Sequence, residues 1–116
     1  DYYFKNFLFD DKKFWLIDWE FSGFNPNILD LANLSRNIEL NEEEENFILE
    51  EYFGSAITSK LINVFKALKC ISNLNAVMWW MLAEIKSKKS FDYKFLTEET
   101  IEKYKISKQN FFKQLD

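Results

Sequence analysis

Leu16-Ile17-Asp18-Trp19-Glu20 is the stretch that decides how this chain is read. Two apolar residues run straight into a carboxylate. A buried strand ends this way when it delivers one acid to a site at its C-terminal edge. Asn6-Phe7-Leu8-Phe9 is a short apolar run upstream, Asp10-Asp11-Lys12-Lys13 is a polar turn, and Phe14-Trp15-Leu16-Ile17 is a second apolar run. Two such runs joined by a few turn residues read as a β-hairpin. Asn6 begins the first strand and Asp18 ends the second, so the hairpin sets both at the same open end. Enzymes that transfer phosphoryl groups hold Mg²⁺ with oxygen ligands of this kind.

A second pattern lies further upstream. Asp1-Tyr2-Tyr3-Phe4-Lys5-Asn6 has the spacing D-x4-N. Kinase catalytic loops carry this spacing: the Asp accepts the proton of the substrate hydroxyl and the Asn reaches a metal ion. An apolar strand, a turn, a second apolar strand and then Asp18 follow it in order.

Residues 1–33 resemble the choline/ethanolamine kinases, within the wider aminoglycoside-phosphotransferase-like kinases. That family's signature reads H-x-D-x4-N, then I-D-[WFY]-E-[YF], then D-[LI]-[AG]-N. Here it stands as Asp1 and Asn6, then Ile17-Asp18-Trp19-Glu20-Phe21, then Asp30-Leu31-Ala32-Asn33. Met78-Trp79-Trp80-Met81-Leu82 is similar to a Trp-bearing helix later in the family, and residues 93–112 look like its closing helix.

The resemblance implies a mainly α fold with a small β-hairpin, the C-terminal lobe of a protein-kinase-like phosphotransferase. It implies one domain over residues 1–116, with a catalytic and metal-binding hairpin and loop at 1–27 and a helical subdomain at 28–116. The expected reaction moves the γ-phosphoryl group of ATP onto the hydroxyl of choline or ethanolamine. Asp1 takes the catalytic role, Asn6 and Asp18 hold Mg²⁺, and Asp30 and Glu20 brace the site. Trp79, Trp80, Phe91 and Glu39 are the expected substrate-binding residues. Two positions depart from the family: Leu82 stands where a second Trp is common, and Asn37, with Glu39 close by, stands where a Glu occurs.

Composition narrows the classes. The chain has 116 residues, no His and only two Gly, so it carries neither the His before Asp1 nor a Gly-rich phosphate loop. We therefore expect a C-terminal lobe whose nucleotide-binding N-terminal lobe is its missing partner. A net charge of −4 without a long basic run argues against nucleic acid. The longest strongly apolar run, residues 76–83, falls far short of the ~20 residues that span a bilayer. The single Cys70 excludes an internal disulfide, and no signal-peptide pattern is seen, so a cytoplasmic protein is expected. Aromatic residues make up 19% of the chain, enough to furnish both a core and a face for a cation.

The remainder reads as helices. Ser22, Gly23, Asn25 and Pro26 mark a loop, and Ile28, Leu31, Ala32 and Leu34 share a helical stripe. Asn41 with Glu44 forms a capping-box pattern, and Gly54 is a C-terminal stop. The run Glu42-Glu43-Glu44-Glu45 reads as a solvated helix start. A long helical pattern from Ile57 to about Lys89 includes a polar Ser72-Asn73 step, where a bend or short break is expected. Thr97, followed by Glu98 and Glu99, is the expected cap of the last helix. Adjacent helical residues differ by about 100° in direction, so Trp79 is expected to face a cleft and Trp80 to pack inward or on a neighbouring helix.

Two other functional readings fit the same residues. One is a related small-molecule kinase of the aminoglycoside type. The other is a non-catalytic helical interaction domain or pseudokinase.

Overall fold

The computed structural model describes residues 2–54 and 56–115. The fold is mainly α with one two-stranded antiparallel hairpin. It comprises two compact units, Asp1–Ile57 and Thr58–Asp116.

The first unit begins with a 3-10 turn, Phe4–Asn6, closed by the Asn6 N–H donating to the Tyr3 carbonyl at 2.9 Å. Strands β1 (Phe7–Phe9) and β2 (Phe14–Leu16) follow, pairing Phe7 with Leu16, Leu8 with Trp15 and Phe9 with Phe14. The Asp10 carboxylate makes the turn by accepting from the N–H groups of Lys12 and Lys13 at 2.8 and 2.9 Å. A short acid that bonds the backbone two and three residues on is what such a turn requires. The rings of Phe9 and Phe14 meet across the strand pair with centroids 4.6 Å apart and planes tilted by 36°. Such cross-strand aromatic pairs are the unit of hairpin stability.

Helix α1 (Asn27–Ile38) buries Ile28, Ala32 and Ser35, an i, i+4, i+7 face. Leu31 and Leu34 are half-buried at its margin. Helix α2 (Glu42–Phe53) starts with the capping box expected from sequence. Asn41 accepts from the Glu44 N–H at 3.0 Å, and the Glu44 carboxylate accepts from the Asn41 N–H at 2.9 Å. Gly54 ends α2 with φ of 62°, the left-handed conformation in which Gly carries no steric penalty. The four-Glu run is not uniformly solvated. Glu45 is buried, and its carboxylate accepts from the fully buried Ser35 hydroxyl of α1 at 2.5 Å.

The second unit is a pair of long helices, α3 (Ser59–Lys86) and α4 (Tyr93–Leu115). Their polar contacts pair Lys66 with Gln114, Asn73 with Ser107 and Ser87 with Tyr93, so the helices run antiparallel. Phe65, Ala76 and Val77 of α3 are buried, as are Thr97 and Thr100 of α4.

Two sequence expectations are corrected here. Helix α3 runs through Ser72 and Asn73 without a break, and both side chains are buried. The Asn73 amide donates to the Lys69 carbonyl at 3.1 Å and to the Ser107 hydroxyl at 3.3 Å. Helix α4 starts at Tyr93, four residues before Thr97. Asp92 is the residue that accepts from the Phe95 N–H, at 2.9 Å. Thr97 sits inside the helix and turns its hydroxyl back to the Tyr93 carbonyl at 2.9 Å, the alternative open to a Thr that does not cap. Among the described residues, no helix is long and apolar enough to cross a membrane.

Candidate functional site

The hairpin register places the predicted metal ligands. Phe7 pairs with Leu16, and the Ile17 N–H donates to the Asn6 carbonyl at 3.0 Å, one step beyond the last strand pair. The next residue on that side is Asp18. Its carboxylate accepts from the Asn6 side-chain amide at 3.5 Å, the outer limit of a hydrogen bond. Asn6 is only 4% exposed, while Asp18 is open to solvent. A buried amide thus faces an accessible carboxylate at the open end of the hairpin.

Local backbone geometry turns Asp18 out of the strand. Its φ is 67°, in the left-handed region. Asp tolerates that conformation better than most residues, though it still costs about 1–2 kcal/mol. The Trp19 indole N–H donates to the Leu16 carbonyl at 2.7 Å and so spans the kink. The Ser22 N–H then donates to the Trp19 carbonyl at 3.0 Å, and Glu20 lies exposed within that turn. Among the described residues only Asp18 and Glu39 are non-Gly residues with positive φ. Both are residues to which the sequence assigns a site role. Glu39, at φ 56°, closes the last turn of α1 by donating its N–H to Ser35.

Asp30 lies in the first turn of α1 and meets Tyr2. Partial burial, and then the negative charge of Asp30, raise the Tyr2 phenol above its ordinary value of 10.0, with Tyr52 of α2 adding to the same direction. Asp1, the predicted catalytic residue, lies outside the described residues.

The predicted aromatic residues are in the second unit. Trp79 is 55% and Phe91 62% exposed. Trp80 is half-buried, with its ring 6.3 Å from that of Tyr93 on α4. Phe91 approaches the same Tyr93 at 5.3 Å. Tyr93 also exchanges a hydrogen bond with Ser87 at 2.9 Å. The structure therefore gathers Trp80 and Phe91 around Tyr93. Sequence reasoning passed over Tyr93, whose position two residues after Phe91 was the available signal. It also passed over Tyr2, which lay inside the D-x4-N spacing as an unassigned position.

A divalent metal is implied by the sequence pattern, and the donor set tests the fit. Asn6 and Asp18 supply only hard oxygen ligands, on neighbouring positions. Among the described residues no group of three His, Cys, Asp or Glu converges. Two protein ligands suit Mg²⁺, which keeps several waters and completes its shell with substrate phosphates. The residues fit that ion and do not form an all-protein cage.

Comparison with known proteins finds similarity to Protein LicA of Haemophilus influenzae strain Rd. The match is 30% identical over 87 residues, 71% of this chain and 32% of that protein. A second Protein LicA from Haemophilus influenzae matches at 30% over 87 residues, 71% of this chain and 25% of that protein. No protein-family profile matches the chain, and no solved structure does. The chain thus spans about a third or less of the length of the LicA proteins to which it is similar.

Proposed function

We propose that this chain is the C-terminal lobe of a Mg²⁺-dependent kinase that transfers the γ-phosphoryl group of ATP to the hydroxyl of choline or ethanolamine. The observation that carries this reading is the pairing of Asn6 with Asp18 at the open end of the hairpin, with Asp18 turned outward at positive φ. Similarity to Protein LicA over 71% of the chain supports it.

In this reading Asn6 and Asp18 hold Mg²⁺. The bound ion neutralises charge on the transferring phosphates. Asp1 accepts the proton of the substrate hydroxyl. Asp30 and Glu20 keep the loop in place. Trp79 and Phe91 offer ring faces to a cationic amine, and Trp80 packs beside Tyr93. A quaternary ammonium has no N–H to donate, so ring faces and a carboxylate at a distance bind it best.

The test is an assay of the full-length protein with ATP and Mg²⁺ against choline, ethanolamine and a panel of aminoglycosides. Turnover of an amino alcohol is the expected result. Turnover of aminoglycosides alone moves the assignment to that class of kinase, and no turnover of any alcohol discards it. Asp18→Asn keeps the size and the backbone tolerance of the residue and removes the charge. It is expected to reduce kcat by at least about 100-fold with the melting temperature unchanged. A variant with near-normal kcat overturns the metal assignment.

A further inference from the structure

Helix α3 has two apolar faces, and α4 covers one of them. Phe65, Ser72, Asn73, Ala76 and Val77 are buried. Asn73 bonds Ser107 and Lys66 meets Gln114, so that side belongs to α4. The other face follows a strict rule of spacing. Val64, Ile71, Met78 and Ile85 stand seven residues apart, and Ala67, Leu74 and Met81 each fall three residues after one of them. Ala67 is half-buried, and the other six are between 39% and 81% exposed. These are the a and d positions of an unbroken heptad repeat. A helix that covers a globular core carries a broader stripe with a period of about 3.6 residues. A narrow a/d stripe sustained for about three heptads is the mark of a coiled-coil seam, which needs a second helix laid along it.

Charge at the two ends of the seam selects the occupant. Lys60 precedes Ala67 by seven residues, so it continues the d positions, and Glu84 flanks Ile85. Both are exposed. Lys86 is in register with the buried Phe65 and Ser72, off the seam. The seam is therefore basic where it begins and acidic where it ends. Two copies laid parallel would set Lys60 against Lys60. Two copies laid antiparallel set Lys60 of each beside Glu84 of the other, with Ile71 facing Leu74 at the centre and Val64 facing Met81. The surface is thus complementary to itself, as a two-fold interface requires. We propose that α3 is a dimerisation helix: its seam from Val64 to Ile85 pairs antiparallel with the same seam of a second copy of this chain. The pairing does not depend on the kinase reading.

The test is sedimentation equilibrium of the full-length protein. The mass of two chains at micromolar concentration is the expected result. Ile71→Lys puts a charge at the centre of the seam, at an exposed position, and should give the mass of one chain with an unchanged circular dichroism spectrum. Lys60→Glu and Glu84→Lys alter only exposed charges, so they keep the test open if Ile71→Lys fails to fold. Each alone should weaken self-association by about 5- to 30-fold, because each turns two attractions of the dimer into repulsions. The double variant should recover the affinity of the parent. A full-length protein with the mass of one chain overturns the proposal. If Ile71→Lys then lowers its melting temperature, another part of its own chain covers the face. A dimer that Ile71→Lys leaves intact uses a different surface and overturns it as well. A double variant no tighter than either single variant rejects the antiparallel pairing.

Discussion

Two buried or half-buried side chains govern the first unit at the scale of single residues. Glu45 is 7% exposed and accepts a hydrogen bond from the Ser35 hydroxyl. Removing one partner of a buried hydrogen bond leaves the other with a desolvation penalty of about 1–3 kcal/mol. Ser35→Ala should therefore lower stability by roughly that amount in chemical denaturation. A change below the error of the fit would show that Glu45 does not depend on this bond. Tyr2 gives a pH signature. Its phenol is raised in the folded chain, so above pH 10.0 the unfolded state loses its proton first. The unfolded state then binds fewer protons than the native state, and stability falls as pH rises through the raised value. Below pH 10.0 the contribution is fully present. Subtracting the Tyr2→Phe stability curve from the parent curve cancels the other tyrosines. The difference should be flat near neutrality and decline only above pH 10.0. A difference that declines in the acid range would contradict the raised phenol.

At the scale of elements, helix ends are the sensitive points. The capping box at Asn41 satisfies two backbone N–H groups that α2 would otherwise leave unpaired. Asn41→Ala should cost about 1 kcal/mol. Asp92→Ala at the start of α4 should cost a similar amount, because it removes the acceptor for the Phe95 N–H. Thr97→Ala, by contrast, removes only a back-bond to Tyr93 and should be milder than Asp92→Ala. Thermal melts of the three variants rank these ends. A Thr97 effect larger than that of Asp92 would restore Thr97 as the cap.

At the scale of the whole molecule, two predictions follow from the kinase reading. The isolated 116 residues should show no ATP-dependent phosphorylation of choline, because they span only 32% of a LicA protein. Radiolabel transfer from ATP checks this, and measurable product would refute it. In the full-length protein, Trp79→Ala should raise KM for choline by roughly two- to thirty-fold, since a Trp face on a desolvated cation is worth about 0.5–2 kcal/mol. Trp80→Ala should instead lower stability and leave KM nearly alone, because Trp80 is half-buried against Tyr93. A KM change confined to ATP would remove Trp79 from the amine site.

The sequence by itself determined the parts that depend on neighbours along the chain. The hairpin, its Asp10 turn, the Asn41 capping box and the Gly54 stop were all legible. Each is specified by a few adjacent residues with one dominant local conformation. Because strand pairing is a matter of register, the approach of Asn6 to Asp18 was legible too. Tertiary structure decided which faces were buried. The apolar positions Met78, Trp79, Leu82 and Ile85 are all exposed. Helix α3 instead buries Ser72, Asn73, Ala76 and Val77. Small and amide side chains there let α3 satisfy Asn73 through Ser107 of α4, a partner 34 residues away that no local pattern reveals. The Ser35–Glu45 contact has the same origin. A buried polar group is stable only with a partner, and that partner exists only after the elements have packed.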